Sequence, residues 1–135
     1  MATFESELRE VNASCGEVFG FLSDFRNFES LMPEQVVKWQ ATETSCSFRI
    51  QGVSDLSMRM DSKAADRNIH IVSEGDNPVD FSLDFFLQKK GEESCQVSVV
   101  FEAGLNPFIK SVASRPLQSL VDLMAKKIQE RYSVE

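Results

Sequence analysis

Few side chains in this sequence could carry acid–base, nucleophilic or metal chemistry, and their spacing keeps them apart. There is one histidine, His70, and there are three cysteines, Cys15, Cys46 and Cys95. His70 has no cysteine or carboxylate at metal-ligand spacing, so it reads as a surface residue. Cys15 follows a helix-start signal, and the dipole at a first helical turn can lower a thiol pKa. No histidine is close in sequence to act as its base, so Cys15 is expected to be a small buried thiol. An odd number of widely spaced cysteines favours reduced thiols and a cytoplasmic location. The other candidates are Arg49, Arg59, Asp61, Asp80 and Asp84 in the middle of the chain, and Lys110, Ser111 and Ser114 near its end. Whether any of them meet depends on the elements that carry them.

Those elements are mostly strands. A strand is expected over residues 3–11, and six more over 35–42, 45–51, 55–65, 68–74, 79–90 and 94–103. Turn residues separate the six: Thr44-Ser45, Gly52, Asp66-Arg67-Asn68, Gly75-Asp76-Asn77-Pro78 and Lys90-Gly91. Connections this short make consecutive strands antiparallel. Successive side chains on a strand point to opposite faces. One face collects Phe48, Ile50, Leu56, Met58, Met60, Ile69 and Ile71, then Phe81, Leu83, Phe85, Leu87, Val97, Val99 and Phe101. The other collects Arg49, Arg59, Asp61, His70, Asp80 and Asp84 among serines, Asn68, Gln96 and Glu102. Every strand residue able to act as acid, base or cation therefore falls on the wet face. A general acid or base needs an enclosed ionisable group with a shifted pKa, and the covered face offers hydrocarbon, aromatic ring and thioether instead.

Helices must supply the cover. Ser14 and Glu17 form a capping box ahead of Val18, Phe19, Phe21 and Leu22. Asp24 caps a second short helix carrying Phe25, Phe28, Leu31 and Met32, which Pro33 ends. Asn106 as N-cap and Pro107 at the first position open a long helix that reaches about Tyr132. Its apolar stripe includes Ile109, Val112, Ala113, Pro116, Leu120, Leu123 and Met124. Pro116 removes the bond to the Val112 carbonyl, which predicts a kink near 112–116 and a helix in two segments. Together these features predict an α+β fold in one domain over 1–135. A seven-stranded curved antiparallel sheet carries two short helices after its first strand and a long C-terminal helix.

Composition excludes several partners. A net charge of −7 disfavours nucleic acid and anionic membranes, which require clustered cations. No apolar run is long enough to span a membrane. The opening MATFESELREV lacks the basic and apolar regions of a secretory signal. Of the eleven phenylalanines, Phe48, Phe81, Phe85 and Phe101 fall at alternating strand positions on one buried face, and Phe19, Phe21, Phe25 and Phe28 belong to the short helices. Phe86, Val72 and Val100 are apolar residues on the wet face and read as scattered, which fits a monomer or at most a weak homodimer.

The order of strand, two short helices, six antiparallel strands and a long C-terminal helix resembles the START-like, birch-pollen-allergen-like helix-grip superfamily (SRPBCC). This group includes polyketide cyclase/dehydrase and lipid-transport proteins. The passage Val11-Asn12-Ala13-Ser14 to Glu17-Val18-Phe19 is similar to the family's first-strand-to-helix junction, and Asn106-Pro107-Phe108 to its closing element. Thr42-Glu43-Thr44-Ser45 has no glycine, unlike the Gly-rich loop of the plant-allergen branch. The resemblance implies a cavity between sheet and long helix for a small apolar or amphipathic molecule, with no cofactor or metal. Its lining is expected to be Phe48, Ile50, Met58, Met60, Ile71, Phe81, Leu83, Phe85, Val99, Phe101, Val112, Pro116 and Leu120. Trp39 is expected near one end of that cavity in a structural role. Helix-grip strand order separates Cys46 from Cys95, so no disulfide is expected between them. Non-enzymatic ligand binding leads; a cyclase/dehydratase-type enzyme and a regulatory protein with a filled core are the alternatives.

Overall fold

A computed structural model describes residues 2–52, 54–75, 80–105 and 107–132, apart from the side chains of Phe108 and Ile109. The expected N-cap Asn106, Val79 and the turn residues Asp76, Asn77 and Pro78 lie outside these residues. In order, the elements are β1 (Ala2–Glu5), β2 (Arg9–Val11), α1 (Cys15–Leu22), two 3₁₀ turns (Phe25–Asn27 and Glu29–Leu31), β3 (Val36–Ala41), β4 (Ser45–Ile50), β5 (Ser54–Ala64), β6 (Asn68–Ser73), β7 (Phe81–Gly91), β8 (Ser94–Ala103) and α2 (Pro107–Arg131). The sheet is antiparallel and runs β1-β8-β7-β6-β5-β4-β3, with β2 continuing beside β8 after β1. The sheet is therefore seven strands wide and curved, with α2 lying over its β1–β2–β8 side.

The first strand is split for a local reason. Glu5 pairs with Val100 and Arg9 with Val97, so residues 6–8 span a stretch where β8 has only two residues. Ser6 bridges the gap: its N–H donates to the Val99 carbonyl at 2.9 Å, and its hydroxyl accepts the Val99 N–H at 2.9 Å. The extra residue displaces Leu8 into solvent, where it is 62% exposed, and shifts the buried parity from Phe4 to Val11.

Capping follows the local chemistry. The Ser14 hydroxyl accepts the Glu17 N–H at 3.1 Å, and the Asp24 carboxylate accepts the Arg26 N–H at 2.9 Å. The second expected helix forms as two 3₁₀ turns, which bury Phe25, Phe28 and Leu31 before Pro33 ends the run.

Helix α2 continues through Pro116 as one 25-residue helix, which replaces the expected division into two segments. The Ser114 hydroxyl donates to the Lys110 carbonyl, a side-chain bond within the turn ahead of the proline. Its buried stripe is Ala113, Leu117, Leu120, Val121, Met124, Ala125 and Ile128. The helix lies along β1, β2 and β8. Gln118 Nε2 donates to the Glu5 carbonyl at 3.1 Å and Gln129 Nε2 to the Glu10 carbonyl at 3.0 Å, so the helix also ties down β1 and the residues of β2.

Candidate functional site

The inner face of the sheet forms one continuous apolar surface. Phe48, Ile50, Met58, Ile71, Phe81, Leu83, Phe85, Val99 and Phe101 are all buried and join Leu120 of α2 in a single cluster. Met60 is half-buried and packs on that cluster. Pro116 is half-buried, whereas Val112 is 51% exposed and stands outside the buried cluster. Residues advance by about 100° along a helix, which puts Val112 roughly 140° from the centre of the buried stripe. Leu117, Val121 and Met124 present the helix's covering surface in its place.

One end of the inner face is a run of aromatic rings. Phe25 meets Phe28 edge-on at 5.0 Å, and Phe28 meets Phe85 edge-on at 5.5 Å. Trp39 stacks between Phe28 at 6.3 Å and Phe48 at 5.2 Å. At the other end Phe81 stacks on Phe101 at 5.1 Å. Geometries of this kind add about 0.5–1.5 kcal/mol per pair beyond area burial. Trp39 thus stands at the former end of the inner face, between Phe28 and Phe48, although regular strand alternation would turn it outward.

Arg49, Arg59, Asp61, His70 and Asp84 lie on the outer face, whereas Arg9 of β2, opposite the buried Val97, turns towards α2 and donates to Gln129 Oε1 at 3.0 Å. Arg49 pairs with Asp55 at 2.6 Å and Arg59 with Asp61 at 3.0 Å. The Arg49 hydrogen bond holds the Asp55 carboxyl below the usual carboxylate range, and the nearby charges of Arg49 and Lys38 act in the same direction. His70 Nδ1 lies 2.8 Å from Asp84 Oδ1, and Asn68 Nδ2 donates to the same oxygen at 3.2 Å. Asp84 and its neighbours Ser98 and Val100 are shielded, so this part of the outer face is drier than alternation alone implies. A carboxylate that orients an imidazole is half of an acid–base device, but the pair is on the opposite side of the sheet from the apolar inner face. Among the described residues, no group of three or more His, Cys, Asp or Glu is placed to hold a metal ion.

The cysteines depart from expectation. Cys15 and Cys95 form a disulfide, with Cα atoms 5.0 Å apart and a sequence separation of 80. The backbone explains the meeting: Val11 of β2 lies opposite Cys95 of β8, and α1 begins just beyond that pair. The expectation of three reduced thiols is therefore corrected for two of them, and Cys15 is a crosslink rather than a buried free thiol. Cys46 is free and buried on the inner face. Burial, with the negative charge of Glu74 second, pushes its thiol up to about 12.

Two surface clefts lie outside this buried cluster. One, of about 760 Å³, lies beside the disulfide between Ser14, Gly16, Asp66, Arg67 and Lys89. The other, of about 660 Å³, lies between α2 and the loop before β3, where Lys127 Nζ donates to the Met32 carbonyl at 3.1 Å. Both carry charges of mixed sign. No helix among the described residues is long and apolar enough to cross a membrane.

No protein-family model matches the chain, and no curated protein matches it in sequence. Solved structures do match over nearly its whole length. A START superfamily protein from Mycobacterium smegmatis is 18% identical, with a TM-score of 0.68 and 96% of each chain covered. Norcoclaurine synthase from Thalictrum flavum, solved in complex with dopamine and hydroxybenzaldehyde, is 14% identical with a TM-score of 0.67, covering 98% of this chain and 89% of that one. The di-domain ARO/CYC protein BexL from the BE-7585A biosynthetic pathway is 16% identical with a TM-score of 0.65, covering 96% of this chain and 46% of that one. By element order, sheet topology and these likenesses, the chain has the START-like helix-grip fold.

Proposed function

We propose that the protein, acting as one domain over residues 1–135, binds a small hydrophobic or amphipathic molecule between the inner face of the sheet and α2 without catalysing its conversion. One observation carries this reading. The sheet sorts its side chains so that Phe48, Met58, Phe85 and Phe101 are buried on the inner face while Arg49, Arg59, Asp61, His70 and Asp84 face outward. Such an enclosure rewards apolar surface and rejects charge. The Phe/Met surface suits the reading further, because methionine adapts to varied apolar shapes.

A cyclase- or dehydratase-type reaction in the same place is the second reading, favoured by likeness in fold to norcoclaurine synthase and BexL. It requires acid–base groups inside. Among the described strand residues, the buried free titratable side chain on the inner face is Cys46, whose thiol stays protonated at neutral pH, and Arg9 at the α2 side is a cation bonded to Gln129. The fold likeness alone cannot supply the missing chemistry.

Native mass spectrometry of freshly purified protein, followed by solvent extraction and titration with an anilinonaphthalene sulfonate dye, tests the leading reading. The expected result is a one-to-one complex and saturable dye binding. A bare protein mass together with no saturable binding overturns it. A cytoplasmic location is also proposed, and denaturing alkylation of freshly lysed cells tests it. In a reducing compartment Cys15 and Cys95 react, whereas in an oxidising one they stay blocked.

A further inference from the structure

Regular strand alternation would not have placed Trp39 on the inner face. Strand β3 pairs with β4 at Val36↔Ile50 and Val37↔Arg49, then resumes at Gln40↔Ser47 and Ala41↔Cys46. Lys38 and Trp39 therefore both face the single residue Phe48. With unbroken alternation, Lys38 would turn inward with Val36 and Trp39 outward with Val37. Lys38 instead adopts φ 58°, which is uncommon for a residue with a β-carbon, and stays exposed. That bulge turns Trp39 onto Phe28 and Phe48. Its indole Nε1 is then buried with no hydrogen-bond partner among the described residues. Buried donors are almost always bonded, so an exception requires a reason. Backbone strain that carries an unbonded donor into an apolar enclosure is a signature of a binding site.

We propose that the Trp39 Nε1–H donates the hydrogen bond that fixes the polar end of the bound molecule. The ligand is then an apolar molecule ending in a neutral oxygen acceptor: a ketone, ester, ether or hydroxyl. This rests on the ligand-binding reading above and narrows it. Indole donates one hydrogen bond and accepts none, so an ammonium group gains nothing from it. A carboxylate would bring a full charge away from water with one neutral donor to meet it, while Arg49 and Arg59 are on the outer face. A neutral oxygen is what one N–H can satisfy, and Phe48, Phe85 and Met58 are available on the same face for the apolar remainder.

Trp39 is the chain's single tryptophan, so one fluorophore and one indole proton resonance report on this atom. The probes are 2-acetylnaphthalene and 2-isopropylnaphthalene, which match in shape and differ in the carbonyl oxygen. The wild type is expected to bind the acetyl compound roughly five- to tenfold more tightly, the scale of one neutral hydrogen bond. The acetyl compound alone should shift the indole proton. Trp39→Phe keeps an aromatic ring but loses the donor, and should lose the preference for the acetyl compound, whose carbonyl would then be buried unbonded. Equal binding by the wild type, or a preference that survives in Trp39→Phe, overturns the assignment and leaves the ligand-binding reading standing. Dye binding without naphthalene binding does the same. If neither dye nor naphthalene binds, both fall. Should Trp39→Phe fail to fold, the indole proton shift in the wild type decides.

Discussion

At the scale of single residues, Cys46 offers a pH-dependent test of the enclosure. In the unfolded chain its thiol ionises near the ordinary value of 9.0, and in the folded protein burial pushes it up to about 12. The folded state therefore holds a proton that the unfolded state has released. This contribution to stability is complete below 9.0 and is lost progressively as pH rises towards about 12. Replacing the thiol by alanine removes it. Urea midpoints of wild type and Cys46→Ala should run parallel with pH up to the ordinary thiol range, after which the wild type should fall more steeply. Parallel curves throughout would mean that the thiol meets water in the folded state. The residues hardest to read from sequence are Lys38 and Trp39. Alternation assigns faces by counting, and a bulge changes the count by one. The register is set by the partner strand, so the segment VVKWQA alone carries no sign of it.

At the scale of elements, sequence pattern was informative wherever a single local rule governs. The strand bounds from β3 to β8, the Ser14 and Asp24 caps and the stop at Pro33 all follow from such rules. What sequence could not reveal depends on residues far apart. The split between β1 and β2 is set by the register against β8, and Val112 faces out because the stripe is centred by Leu117, Leu120, Val121 and Met124. The Cys15–Cys95 link likewise needs β2 to lie beside β8 before the thiols can meet. Its energetic effect follows from the loop it closes. For a sequence separation of 80, the chain-entropy relation predicts about 4–5 kcal/mol of stabilisation. Denaturant unfolding with and without a thiol reductant should show a loss of about that size, and Cys15→Ala with Cys95→Ala should reproduce it. An unchanged midpoint after reduction would show that the link constrains nothing beyond what the β2–β8 pairing already holds.

At the scale of the whole molecule, the question is whether the surface favours self-association, and three features weigh against it. Both sheet edges are interrupted. β3 carries the Lys38 bulge, and the β1–β2 edge is broken at Ser6–Leu8 with its Glu5 and Glu10 carbonyls bonded by glutamines of α2. Interrupted or covered edges give a second copy no regular ladder to extend. The outer face offers little apolar area: Phe86 is 45% exposed, but Val100 is buried and the cross-strand partners of Phe86 are the polar residues Asn68 and Ser98. One ring falls far short of the roughly 1,200 Å² or more that a specific interface buries. Finally, each chain carries a net charge of −7, so two copies repel most strongly at low ionic strength. Light scattering should therefore give the mass of a single chain at both low and physiological salt, and Phe86→Asp should leave it unchanged. A doubled mass that Phe86→Asp returns to one chain would place a dimer contact on the outer face. A doubled mass indifferent to that substitution would point instead to the apolar surface at Val112 of α2, where a second copy would lie beside the enclosure and could affect ligand entry.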